Sequence, residues 1–138
     1  MTREEFIMTA RSFIGTPFMH QGRLPGTALD CAGVVVCAAQ ACGHGVRDQT
    51  GYADVPHAGL FVAAVEEHAE RIDLAAVRPG DLMVFAFQRE PQHVAIVTQT
   101  DPLQIVHAWA DAGRVVENGF DAYWRRRLRG CYRLQGVL

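Results

Sequence analysis

Between Asp30 and Gly43 the chain reads Cys-Ala-Gly-Val-Val-Val-Cys-Ala-Ala-Gln-Ala-Cys, a stretch without a single charged residue. Aspartate is a strong helix N-cap and glycine a common helix stop, so the spacing predicts a helix from Cys31 to Ala41. A helix that is apolar on nearly every side must be enclosed on every side. The rest of the chain therefore has to supply a shell around it, and at 138 residues there is enough for one domain, residues 1–138, built on one core.

That shell is readable on both sides. Thr2 followed by Glu5 is a capping-box pattern, and Phe6, Ile7, Ala10, Phe13 and Ile14 keep helical spacing until Gly15 and Pro17. Residues Gly15 to Leu29, rich in Gly and Pro, read as a surface loop. A third helix is expected from about Leu60 to Arg71, and Arg78-Pro79-Gly80-Asp81 reads as a turn. The segments Leu82 to Phe87, His93 to Thr98, Leu103 to Trp109, Arg114 to Glu117 and Tyr132 to Leu134 read as strands in antiparallel succession. Helices first and strands afterwards is the order of an α+β domain.

Composition excludes several classes of function. Hydrophobic residues make up 49% and charged residues 20%, which is too apolar for a disordered chain, and the net charge of −2 gives no electrostatic drive toward nucleic acid or anionic membranes. No apolar run approaches the roughly 20 residues of a membrane span. The acidic, amphipathic start Met-Thr-Arg-Glu-Glu is unlike a signal peptide, so synthesis in the cytoplasm without export by its own leader is the expectation.

Cys31, Cys37 and Cys42 fall in or beside one helix, where residues six and five apart point about 240° and 140° away from each other and cannot share a tetrahedral metal site. The remaining reading is buried thiols, or one reactive cysteine among bystanders. Cys31 directly follows the Asp30 cap, in the first helical turn, where unpaired N–H groups and the helix dipole favour an anion. The Asp30 carboxylate opposes that effect, so a base is needed nearby. If the strands at His93 and His107 form a hairpin centred on Thr100, the two histidines sit opposite each other with Cβ atoms roughly 5 Å apart. One imidazole could then act as base while the other fixes its tautomer, the layout of a papain-like Cys-His-polar triad.

These segments, Gly15-Thr16-Pro17-Phe18-Met19-His20-Gln21-Gly22, Asp30-Cys31-Ala32-Gly33-Val34-Val35, Pro79-Gly80-Asp81-Leu82-Met83-Val84-Phe85, His93-Val94-Ala95-Ile96-Val97 and Val106-His107-Ala108, resemble the NlpC-type papain-like cysteine peptidases. Order and spacing are most similar to the phage cell-wall peptidase branch, where Gly113 to Glu117 and the closing Arg127 to Leu134 also fit. The resemblance covers nearly the whole chain. It implies a papain-like α+β fold, with a central nucleophile helix packed on an antiparallel sheet, and hydrolysis of peptidoglycan stem peptides, typically after γ-D-glutamate. Carried over by residue, Cys31 is the nucleophile, His93 the general base and acid, and His107 the orienting third member. Phe18 stands where the family often has tyrosine and Ala32 where it often has serine, and both positions lie near substrate. Asp30 corresponds to an aspartate that in some relatives holds a free amine of the stem peptide, with helix capping as its other reading. Neither cofactor nor metal is implied.

Two other functions compete with this one: a tail-tip assembly protein with an idle triad, and a zinc site formed by Cys31, His93 and His107. The resemblance implies delivery by a phage tail or tail-like particle. Arg125, Arg126, Arg127 and Arg129 with Trp124 are the candidate docking strip for such a partner. Nucleic acid and membrane are not expected partners. His20 is read as an exposed loop residue, and His44, His57 and His68 as surface residues.

Overall fold

In a computed structural model of the chain, residues 1–49, 51–53 and 59–138 are described; the surface reading for His57 falls outside them. Helix α1 (Arg3–Ser12) begins with the expected capping box, in which Thr2 accepts from the Glu5 N–H and the Glu5 carboxylate accepts from the Thr2 N–H. It buries Phe6, Ile7 and Ala10, and Phe6 and Ala10 share one core with helix α2 (Cys31–Ala41). Asp30 caps α2 by accepting from the Gly33 N–H at 2.8 Å, and Val34, Val35, Val36, Ala38 and Ala39 are buried. The uncharged helix is thus the centre of the molecule, as its composition requires.

Between these helices the expected loop contains a short hairpin, β1 (Arg23–Leu24) and β2 (Ala28–Leu29). It lies so close to α2 that a Cβ on Gly33 would sit 2.3 Å from the Gly22 carbonyl oxygen. The third helix, α3 (Leu60–His68), is shorter than expected because Ala69–Ile72 forms strand β3. That strand pairs with β8 (Leu128–Leu134), so sheet pairing overrides helical periodicity there.

The main sheet has six strands in the order β3-β8-β4-β5-β6-β7, all antiparallel, with β4 at Leu82–Phe85, β5 at His93–Thr100, β6 at Leu103–Trp109 and β7 at Arg114–Gly119. Strands β4 to β7 follow in succession as expected. The last strand does not join the end of the series; after helix α4 (Ala122–Arg127) it inserts between β3 and β4. One face of the sheet packs on α1 and α2 through Leu82, Val84, Val94, Ile96 and Val106. The other carries Met83, Phe85, Ala95, Val97, Ile105 and Trp124.

The β5–β6 pairing corrects the expected register. Thr100 pairs with Leu103 and Gln99 with Gln104, but Ile96 pairs with Val106, because the ladder shifts by one residue between Val97 and Gln99. Continued past Ile96, this register sets His107 opposite Ala95, making His93 its diagonal rather than direct neighbour. The shift is decisive for geometry. Without it, His93 and His107 would fall on opposite faces of the sheet; the irregularity at Thr98 returns them to the same one.

Asp81, fully buried, ties the turn before β4 to both chain ends. It accepts from Arg3 at 2.9 Å, from two nitrogens of Arg133 at 2.8 and 3.0 Å, and from the Arg78 N–H at 2.8 Å. Burial alone would raise its pKa, yet these donors outweigh burial and hold it below the ordinary carboxylate value of 3.8. A depressed folded-state pKa contributes stability that is fully present above the unfolded value and lost as pH falls through the folded one. Asp81→Asn should therefore cost about 3 kcal/mol at pH 7. In urea unfolding, the gap to wild type should narrow below about pH 4, and a gap independent of pH would contradict this role.

Candidate active site

Cys31 is placed by the cap before it. The two oxygens of Asp30 accept from the Gly33 N–H, the Gln21 N–H at 2.9 Å, Arg23 Nη1 at 2.8 Å and the Tyr52 hydroxyl. The carboxylate is 3% exposed and saturated with donors, which fits the capping reading of Asp30 and leaves little of it to hold a substrate amine. Arg23 is locked further by Asp48 and the Tyr52 hydroxyl. This fixes the first turn of α2 against the β1–β2 hairpin and aims Cys31 at the start of β5, where its Sγ donates a weak hydrogen bond to the Gln92 carbonyl at 3.8 Å.

His93, the next residue, opens β5. Its Nε2 lies 2.6 Å from His107 Nδ1, and His107 Nε2 lies 2.7 Å from Asn118 Oδ1 on β7. The imidazoles belong to the sheet face opposite α2. Cys31 approaches from the α2 side, and Cys31 and His93 both border a cleft of about 1200 Å³ that runs from the end of β5 along α2 to α3. His107 stands behind His93, fully buried. Phe18 and Asp30 border the same cleft, together with Tyr52, Trp109, Tyr123 and Arg127.

The electrostatics favour neutral groups at rest. Burial, with the Asp30 charge adding to it, pushes the Cys31 thiol up to about 12; the N–H groups of Val94 and Ala32 and the Arg23 cation pull the other way and do not prevail. Burial also holds His93 well below 6.5, with His107 contributing, and lowers His107 to about 4 despite its hydrogen bond to Asn118. Aromatic walls supply that burial. Trp124 stacks on His93 at 5.8 Å between centroids and meets His107 edge-on at 4.8 Å, while Phe85 and Phe87 flank His93. Burial thus works against both the thiolate that the helix start favours and an imidazolium at His93.

The sequence matches the model of the NlpC/P60 family over residues 15–133. The chain belongs to the NlpC/P60 family. Solved structures with the same fold include an NLP/P60 family protein from Staphylococcus aureus, similar to a lipoprotein (20% identity, TM-score 0.71, 96% of this chain and 41% of that one). Another is the NlpC/p60 domain of the peptidoglycan hydrolase SagA (21% identity, TM-score 0.71, 97% and 100%). A third is the peptidoglycan hydrolase RipB from Mycobacterium tuberculosis (18% identity, TM-score 0.69, 95% and 63%). The chain spans about two fifths of the staphylococcal protein and the whole SagA domain. A search of curated proteins found no match.

In this NlpC/P60 domain the other nominated residues fall into place as follows. Cys37 contacts the Arg23 carbonyl, Cys42 contacts Thr9, and Cys131 is buried in the sheet core; all four cysteines are free thiols. His20 borders the cleft from its exposed loop beside Tyr52. His44 and His68 are half-buried and tied to backbone groups of Gln135 and Arg47. The zinc alternative fails on geometry: both ring nitrogens of His107 are engaged by His93 and Asn118, and among the described residues no three His, Cys, Asp or Glu groups are placed to hold a metal ion. The docking strip also needs correction. Trp124 is 3% exposed and packs on the histidines, and Arg127 stacks on Tyr123 at 3.5 Å along the cleft, leaving Arg125, Arg126 and Arg129 outside.

Sequence reasoning missed Tyr52, Arg23 and Asn118. For Asn118 there was a signal, since alternation along β7 puts it on the same sheet face as Val116, and Val116 pairs with His107. For Tyr52 there was none, because nothing local connects it to Asp30.

Proposed function

We propose that the protein is a cysteine peptidase that hydrolyses peptidoglycan stem peptides, at the bond following γ-D-glutamate, with Cys31 as nucleophile, His93 as general base and acid, and His107 as the orienting residue. The observation that carries this reading is a thiol and an imidazole that line one cleft, with a fully buried second imidazole hydrogen-bonded behind the first. Family membership and the hydrolase activity named for SagA and RipB support it.

With Nε2 of His93 committed to His107, Nδ1 is the ring nitrogen left for the thiol. It takes the Sγ proton as sulfur attacks the scissile carbonyl carbon. The tetrahedral intermediate collapses, the C–N bond breaks, and the imidazolium returns that proton to the departing amine. Water, deprotonated by the same nitrogen, then cleaves the thioester and releases a free carboxylate and the thiol. Burial disfavours charge on either group at rest, so transfer of the proton belongs to the substrate-bound cleft, from which water is displaced.

Digestion of purified peptidoglycan followed by mass spectrometry tests the assignment. New free carboxyl groups on γ-D-glutamate, without new reducing sugar ends, are the expected products; cleavage of the glycan or of no bond would overturn it. Sequence likeness to the phage cell-wall peptidase branch supports the further proposal that a tail-like particle carries the domain to the wall. Immunodetection of the protein in purified particles would bear that out, and its absence from them would refute it.

A further inference from the structure

We infer that Asn118 is a positioning residue that selects the catalytically competent tautomer of His93, acting through His107. The inference rests on the proposed roles of His93 and His107 and adds a fourth member behind them.

Proton bookkeeping along the chain of rings leads to it. A neutral imidazole carries one N–H and one lone pair, so each ring passes on the polarity of the contact behind it. Asn118 Nδ2 donates to the Gly119 carbonyl at 3.2 Å, which turns Oδ1 toward His107 at 2.7 Å. An amide oxygen only accepts, so His107 Nε2 must carry the proton. Its Nδ1 is then a lone pair, and the 2.6 Å contact to His93 requires the proton to sit on His93 Nε2. That leaves His93 Nδ1 unprotonated, able to take a proton from a thiol.

The opposite orientation of the amide reverses every step. Nδ2 would donate to His107 Nε2, His107 Nδ1 would donate to His93 Nε2, and His93 would present an N–H to Cys31, unable to act as base. It would also set the amide oxygen against the Gly119 carbonyl. One backbone carbonyl at the end of β7 therefore biases the protonation state of a ring two residues further along the relay. Burial suits this device: it disfavours a charge on either imidazole, so the tautomer is the variable, and the rings of Trp109, Trp124 and Phe85 pack around the pair.

The test reads the tautomer directly. Long-range nitrogen–proton NMR of the histidine rings, recorded on Cys31→Ala protein without substrate, should show both His93 and His107 protonated at Nε2. In the same background Asn118→Leu, which removes the acceptor, should give mixed tautomers at His93. Asn118→Asp, which restores an oxygen acceptor, should return the Nε2 form. With Cys31 intact, Asn118→Leu should lower kcat about tenfold with KM unchanged, and Asn118→Asp should recover most of that loss. His93 protonated at Nδ1 in the Asn118 protein, or tautomers and kcat unmoved by Asn118→Leu, would overturn the inference. Undiminished hydrolysis by Cys31→Ala would instead overturn the proposed function while leaving the tautomer result standing.

Discussion

Cys31→Ser should fold as wild type does and lose turnover by a factor of about 10⁴ or more. The serine oxygen fits the space of the sulfur, and the Asp30 cap that starts α2 is untouched, so stability should change little. The loss lies in the chemistry. Even the thiol is held at about 12 by burial and by the Asp30 charge, and a hydroxyl in the same surroundings is far harder to deprotonate. A neutral imidazole of low basicity can draw a proton from sulfur in concert with attack, but has much less purchase on an alcohol. Cys37→Ala and Cys42→Ala should act through packing alone, lowering Tm more than kcat, since their sulfurs contact Arg23 and Thr9 away from His93. Steady-state kinetics on a soluble stem peptide, with thermal unfolding alongside, separates the cases. A Cys31→Ser enzyme of comparable kcat would contradict the nucleophile assignment.

The second large effect concerns the order of the histidines. His93→Ala removes the group that takes and returns the proton and should cost roughly 10⁴ in kcat. His107→Ala removes orientation and leaves a cavity behind His93, a loss of about 10². His107→Asn and His107→Gln should recover part of it, because either amide can accept from His93 Nε2–H. Equal losses in all three His107 variants, or a His107→Ala enzyme weaker than His93→Ala, would contradict these roles.

What the sequence made legible was whatever is written locally. The uncharged run after Asp30 showed both ends of α2 and its central position, and Thr2 with Glu5 showed the start of α1, because caps and helical periodicity are properties of adjacent residues. Strand existence was equally local. Register was not: the irregularity at Thr98 has no composition of its own, and only the structure shows that it brings His93 and His107 to one face. Ala69–Ile72 was lost for a related reason, since its partner in β8 lies at the far end of the chain. In the site, Cys31, His93 and His107 were found by residue type and position. The saturation of Asp30 by Tyr52 and Arg23 is written in no local pattern. Burial, with the Asp30 charge adding to it, is what works against the thiolate that a helix end alone would favour. Trp124, expected as core or rim packing and also placed with the docking strip, takes the first role and forms a wall against the imidazoles.

The claim on which the rest depends is that Cys31, alone among the four cysteines, reacts in the cleft and does so with the help of His93. A diazomethyl ketone built on a γ-glutamyl dipeptide, incubated with the protein at neutral pH and followed by intact mass and peptide mapping, tests it most directly. The expected result is a single adduct on Cys31 in wild type, formed in step with loss of hydrolysis, and no comparable adduct in His93→Ala protein. Labelling of Cys37, Cys42 or Cys131 in step with inactivation, or labelling of Cys31 that leaves hydrolysis intact, would contradict the account.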